Sequence, residues 1–195
     1  KRGWSYTVFV TSGLVGTNDR LYSTWDQIRE MANAGATIAN HTIDHPYLLD
    51  RGANESEVSW LERVRTQIVT AEETITQQTG QNHKIFAYPY GEYDPNIQTL
   101  VQELGFVGIA QHSGPINASS DFTALPRFPF SGIYASMNSF PTKVLSLAST
   151  LDSFSPHSPL TTQASPQATL DFGDEQKGLS QLACFNNNSV MQVNA

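Results

Sequence analysis

Cysteine is nearly absent from this chain: Cys184 stands alone among 195 residues, which excludes an internal disulfide framework and any metal site built from cysteine alone. Within the run LACF it reads as a small buried hydrophobe. Long apolar runs are missing as well. No stretch approaches the roughly 20 residues that cross a bilayer as a helix, and no signal peptide is visible in the sequence. Positive charge is scarce and scattered, with 11 Lys and Arg against 18 Asp and Glu for a net charge of −7. Nucleic acid and anionic membrane surfaces are therefore poor partners, and a neutral or basic ligand fits better.

What is present suffices for a folded core. Hydrophobic residues at 39% and charged residues at 15% separate the chain from disordered sequences. The length suits one substantial domain, or one domain with part of another. The opening KRGWSYTVFV reads as a surface lead into a strand, so the chain is expected to be the interior of a longer protein.

From the start to about residue 130, short β-branched or aromatic runs alternate with helical periods. Strands are predicted at 6–10, 36–39, 84–88, 106–110 and 125–128. Three helices separate the first four. Thr24 with Gln27 forms a capping box for TWDQIREMANAG, which Gly35 ends. Asn54 with Glu57 is expected to open a long helix carrying Val58, Leu61, Val64, Ile68, Ala71 and Ile75 on one face. Asp94 followed by Pro95 opens a third, closed by Gly105. This alternation predicts an α/β domain with a mostly parallel sheet. Five strands are too few to close a (β/α) barrel, so further strands are expected before Lys1. Residues 149–168 are rich in Pro, Ser and Thr and read as an irregular linker, and 169–195 as the start of a β-rich extension.

The stretch NHTIDHPYLL places His41 and His45 four apart. On a helix that spacing would stack two metal ligands. Pro46 disfavours the helical region for His45, and the β-prone TIAN run precedes the pair, so both histidines are expected on the loop leaving a strand. Ligands of α/β folds gather at such strand ends. FAYPYGEYD (86–94) and LPRFPFSG (125–132) fall at equivalent positions, which parallel strands would bring to one face. Neutral imidazoles suit zinc and similar ions, but a stable site needs a third ligand. Asp44 reads as a turn or supporting carboxylate rather than that ligand. The pair lacks the glutamate of a helical HExxH zinc peptidase.

Taken together, WDQIREMANAGATIANH, HTIDH followed by proline, and a strand ending in YPYG resemble the polysaccharide deacetylases of the NodB-homology type, carbohydrate esterase family four, over about residues 4 to 130. The AYPY variant looks like the poly-N-acetylglucosamine deacetylase branch. The resemblance implies an irregular (β/α) barrel over residues 1–148, incomplete at its N-terminus, and a secreted, periplasmic or cell-envelope hydrolase acting on an acetylated polysaccharide. It implies that His41 and His45 hold a divalent ion such as zinc and that the backbone N–H of Tyr90 faces the oxyanion. Tyr88, Pro89 and Arg127 are the expected substrate contacts. The family's aspartate pair, one a metal ligand and one the base, would precede Lys1. The family's motif arginine is replaced by Ala87, and Arg127 is a candidate to supply charge from another loop. The general acid is unassigned between His112 and His157. A non-catalytic glycan-binding protein on the same fold is the alternative.

Overall fold

The computed structural model describes residues 5–17 and 21–146, and four short strands beyond them. Those residues fall in two compact units, Lys1–Ser139 and Phe140–Ala195. The first unit carries the α/β architecture. Strands β1 (Thr7–Val10), β2 (Thr37–Asn40), β3 (Ile85–Ala87) and β4 (Val107–Ile109) form one sheet in the order β1-β2-β3-β4. All pairs are parallel. Each crossover contains one helix: α1 (Trp25–Asn33), α2 (Glu57–Thr79) and α3 (Pro95–Glu103).

The helix ends follow local chemistry. Thr24 Oγ1 accepts from Gln27 N while Gln27 Oε1 accepts from Thr24 N, closing the capping box. Asp94 Oδ1 accepts from Ile97 N with Pro95 at the first helical position. Gly35 and Gly105 follow the first and third helices with φ of 97° and 74°, a conformation only glycine adopts without strain.

The second helix departs from expectation at its start. It is capped by Ser56, whose Oγ accepts from Ser59 N at 3.1 Å, and not by Asn54. Glu55 explains the shift: its carboxyl group is bonded to Gly52 N and to Arg63, which holds residues 52–55 in a separate turn ahead of the helix. The buried face also differs. Val58 is 79% exposed, and Trp60 takes its place in the core with its indole N–H donating to Leu48 O at 2.8 Å.

Two clusters of buried side chains line the sheet. Val64 and Ile68 of α2 join Phe86, Tyr88, Ile97, Val101 and Phe106, while Ile75 joins Val10, Ile28 and Ile38. Complete burial of an aliphatic side chain such as Ile68 contributes about 1.5–3 kcal/mol, so this face of α2 anchors β2 and β3 at once.

The predicted fifth strand at 125–128 is reduced to a single parallel bridge between Ile109 and Leu125. Among the described residues the sheet is open, and no closed barrel is observed.

In the second unit, a short helix α4 (Phe140–Leu145) is followed by strand β5 (Ser153–Ser155), antiparallel to β6 (Thr169–Asp171), and by the hairpin β7 (Cys184–Asn186) with β8 (Ser189–Met191). The first of these strands lies inside the stretch read as an irregular linker, so three of its residues are ordered by pairing rather than by their own composition. No helix of the described residues is long and apolar enough to cross a membrane.

Candidate functional site

Because the four strands are parallel, the segments that follow each of them emerge along one edge of the sheet. At that edge β2 ends in Asn40, and His41 to Leu48 form the first part of the connection to α2. His41 N donates to Val10 O at 3.0 Å, a last rung of the β1–β2 ladder. The chain then leaves extended geometry abruptly: Thr42 has φ 67° and His45 has φ 57°. His45 is thus outside the right-handed helical region, as Pro46 requires, but left-handed rather than extended. Two non-glycine residues held there represent stored strain of order 1–3 kcal/mol each, sustained only where the surroundings fix them.

The surroundings do fix them. The Asn40 side chain is fully buried; its Oδ1 accepts from Thr42 N at 3.0 Å, and its Nδ2 donates to Ile68 O and Glu72 Oε2 of α2. Thr42 Oγ1 accepts from His45 N. Gln67 of α2 receives Ile43 N and Asp44 N on its Oε1 and donates its amide to Asp44 Oδ2. Asp44 is therefore a turn carboxylate, in line with its sequence reading. From the β1 side, Ser12 N and Gly13 N donate to Thr42 O and Ile43 O.

On this frame the two imidazoles meet edge to face with ring centres 4.6 Å apart. His41 Nδ1 lies 2.8 Å from Ala87 O. A carbonyl only accepts, so Nδ1 carries the proton and Nε2 presents its lone pair, the tautomer a metal-ligating histidine needs. Burial holds the His41 pKa below the ordinary imidazole value, with the charges of His45 and Arg127 acting in the same direction and the bond to Ala87 opposing them. The shift favours the neutral ring, the form that a metal ion would bind. Ala87 stands where the related motif has arginine, and here its backbone orients His41.

The β3 loop supplies the next ring. Tyr90, at φ 56°, places its ring edge to face on His45 at 4.5 Å, and among the described residues its backbone N–H has no acceptor. Tyr47 then stacks flat on Tyr90, centres 4.0 Å apart and planes within 4°. Partial desolvation first, and bonding to the Tyr47 hydroxyl second, raise the Tyr90 pKa above the ordinary phenol value.

Of the expected contacts, His41, His45 and Tyr90 come together, and Arg127 is half-buried within electrostatic reach of His41. Arg127 also lines a cleft of about 530 Å³ with Gln111, Ser113, Phe128 and Phe130. Tyr88 and Pro89 do not serve as contacts. Tyr88 is fully buried against Phe86 and Tyr93, with its hydroxyl on Thr123 O at 2.6 Å, and Pro89 is buried beside it. Neither has a surface to offer a ligand, because the strand turns the first tyrosine of YPY inward and the left-handed Tyr90 turns the second outward. His112 is exposed after β4 and accepts Arg127 N on its carbonyl. His83 is exposed at the opposite end of the sheet, ahead of β3. His157 lies outside the described residues. Sequence reading passed over Tyr47 and Asn40, although both sit within NHTIDHPYLL; the signal available was a bulky aromatic two residues past the second histidine.

The donor set fits a divalent ion in part. Two neutral imidazoles, one with its second nitrogen engaged by a carbonyl, form the inner half of a zinc-type site. Among the described residues no third His, Cys, Asp or Glu joins them.

The family model described as Polysaccharide deacetylase matches residues 1–109. A Bacillus cereus peptidoglycan-N-acetylglucosamine deacetylase is 31% identical over 102 residues, 52% of this chain and 34% of that protein. The Escherichia coli poly-β-1,6-N-acetyl-D-glucosamine N-deacetylase is 27% identical over 131 residues, 56% of this chain and 19% of that protein. The chain thus spans a fifth to a third of the length of these two relatives. In three dimensions it is similar to the Streptococcus pyogenes deacetylase PplD solved with acetate, at a TM-score of 0.55 and 24% identity, covering 62% of this chain and 50% of that one.

Proposed function

The chain belongs to the polysaccharide deacetylase family, and from that premise we propose that it is the metal-binding part of a hydrolase removing N-acetyl groups from an amino-sugar polymer. The carrying observation is the His41 geometry: Nδ1 committed to Ala87 O, Nε2 left as a ligand, and His45 alongside it on the same strand-end loop. Zinc suits a site of this kind. The third ligand and the general base are carboxylates from outside the described residues, and further strands close the sheet into the barrel. The deacetylase part extends to about residue 148, with the segment beyond 168 a separate β-rich extension. A polymer of the cell envelope as substrate places the protein in a secreted, periplasmic or envelope location.

A bound divalent ion polarises an acetyl carbonyl and lowers the pKa of a coordinated water. The chain's own residues do the rest of the placing. His41 and His45 would hold the ion, and burial favours the neutral form of His41. The Tyr90 N–H, fixed by the left-handed turn after Pro89, donates to the carbonyl oxygen as negative charge develops there. Arg127 adds positive charge from the β4 side and attracts the same oxygen or the departing acetate. Two histidines with one carboxylate would hold the ion as in catalytic zinc sites.

The test uses the full-length protein with zinc and a β-1,6-linked N-acetylglucosamine oligomer. His41→Ala and His45→Ala should each abolish acetate release and weaken zinc binding by more than about 100-fold, beyond the usual outer-shell effect. Zinc retained at wild-type affinity in either variant refutes the ligand assignment. Glycan binding without acetate release by the metal-loaded wild type would replace the enzyme with a glycan-binding protein on the same fold.

A further inference from the structure

The rings at the site continue beyond the histidines. His41, His45, Tyr90 and Tyr47 follow one another at centre distances of 4.6, 4.5 and 4.0 Å. Tyr90 contacts both neighbours, His45 at a steep angle and Tyr47 flat, and is 46% exposed. Tyr47, 50% exposed, has no other ring upon it among the described residues. Its outward surface is therefore the open end of the series, two rings from the histidine pair.

A solvent-facing aromatic held flat on another is unusual, because exposed tyrosines ordinarily keep their rotational freedom. Here two features restrict the ring: its stacking on Tyr90, and its position directly after Pro46, between strained His45 and fully buried Leu48. A rigid, exposed aromatic surface suits the C–H face of a pyranose, whose partial positive hydrogens meet the negative face of the ring. The net charge of −7 admits a neutral acetylated sugar and its cationic amine product alike.

We propose that Tyr47, backed by Tyr90, is a saccharide-stacking platform that binds a pyranose ring of the polymer next to the sugar being deacetylated, so that the site selects oligomers over monosaccharides. This rests on the deacetylase reading for its choice of ligand, but it assigns a binding position to a residue outside the metal site and the oxyanion donor.

The experiment compares wild type, Tyr47→Ala and Tyr47→Trp in the full-length protein. Binding of a β-1,6-linked N-acetylglucosamine pentamer is measured by calorimetry, together with kcat/KM for the pentamer and for the monosaccharide. Tyr47→Ala should weaken pentamer binding by about 2- to 12-fold, the range of one aromatic contact. It should lower kcat/KM for the pentamer more than for the monosaccharide, and Tyr47→Trp should restore both. Zinc affinity separates the platform from a prop: a residue that only supported Tyr90 and His45 would lose zinc affinity on truncation, whereas the platform keeps it within about twofold of wild type. Equal losses on pentamer and monosaccharide, or unchanged pentamer binding by Tyr47→Ala, overturn the proposal. If the wild type binds the pentamer but releases no acetate, the deacetylase reading fails while the binding comparison still decides the platform. Absence of pentamer binding by the wild type overturns the platform itself.

Discussion

Replacing Asn40 by leucine tests whether the histidine loop is held by the polar network beneath it. The two side chains branch alike with the same number of heavy atoms, so the substitution opens no cavity and chiefly removes the hydrogen bonds. Three are lost: Nδ2 to Ile68 O at 2.8 Å, Nδ2 to Glu72 Oε2 at 3.1 Å, and Thr42 N to Oδ1 at 3.0 Å. Ile68 O belongs to the interior of α2 and keeps its helical partner, so its loss is mild. Thr42 N and Glu72 Oε2 are different. Thr42 is fully buried and Glu72 is 4% exposed, so both atoms are left without water or partner. At about 1–3 kcal/mol for each of the two unsatisfied groups, with little from the Ile68 bond, the total is about 2–6 kcal/mol.

That loss is a large part of the stability of an ordinary domain. With a urea dependence of about 2 kcal/mol per molar, the unfolding midpoint of Asn40→Leu should fall by about 1–3 M. The same change frees the strained Thr42 and with it the spacing of the histidines, so zinc affinity should drop by about 10- to 100-fold, as for other groups that orient ligands. Urea titration followed by far-ultraviolet circular dichroism gives the first number and competition with a chelating dye the second. A midpoint shift below about 0.3 M would show that the buried network carries little of the loop's stability and would refute the reasoning.

How far the sequence discloses this arrangement depends on the range over which each feature is determined. The capping box at Thr24 and the Asp94–Pro95 start are set by atoms three residues apart, and both are legible. The start of α2 is not, because Glu55 is diverted by Arg63, eight positions away, and residues 52–55 turn before the helix begins. The face of the same helix is misread at Val58 because apolar periodicity admits neighbouring stripes. Trp60 is selected by the Leu48 carbonyl, which no helical period contains. At the site, the histidine pair and its strand-end position follow from Pro46 and the TIAN run. Which tyrosine of YPYG faces the histidines does not, since it turns on a left-handed backbone at Tyr90 that pattern reading has no means to see. Tyr47 and the carbonyl of Ala87 owe their roles to partners far away in the chain, and Asn40 ties its local bond to Thr42 N to α2 through Ile68 O and Glu72, 28 and 32 residues on.

Two further perturbations probe the frame and the surface. Gly108→Ala would place a Cβ 2.0 Å from Thr123 O in the segment that Gly108 bonds through both its N–H and its carbonyl, so the β4 edge must shift; a loss of about 3 kcal/mol or more is expected in urea unfolding, and one below about 0.5 kcal/mol would contradict the close approach. The last prediction concerns acid. Glu55 is held down to a pKa of about 2 from an ordinary 4.5, first by its bond to Arg63 and then by Gly52 N. A carboxyl group depressed on folding contributes stability that is fully present above its unfolded value and is lost as pH falls through its folded one. The wild type should therefore exceed Glu55→Gln in urea midpoint at about pH 5, and the gap should close between about pH 4.5 and pH 2. Every other carboxyl group titrates in both proteins, so their difference reports Glu55 alone. The Glu55–Arg63 pair lies at the surface and is screened by solvent, so the gap is small and shrinks further in high salt. A gap constant across that pH interval would mean that Arg63 does not hold Glu55 in solution, and the turn ahead of α2 would then need another explanation.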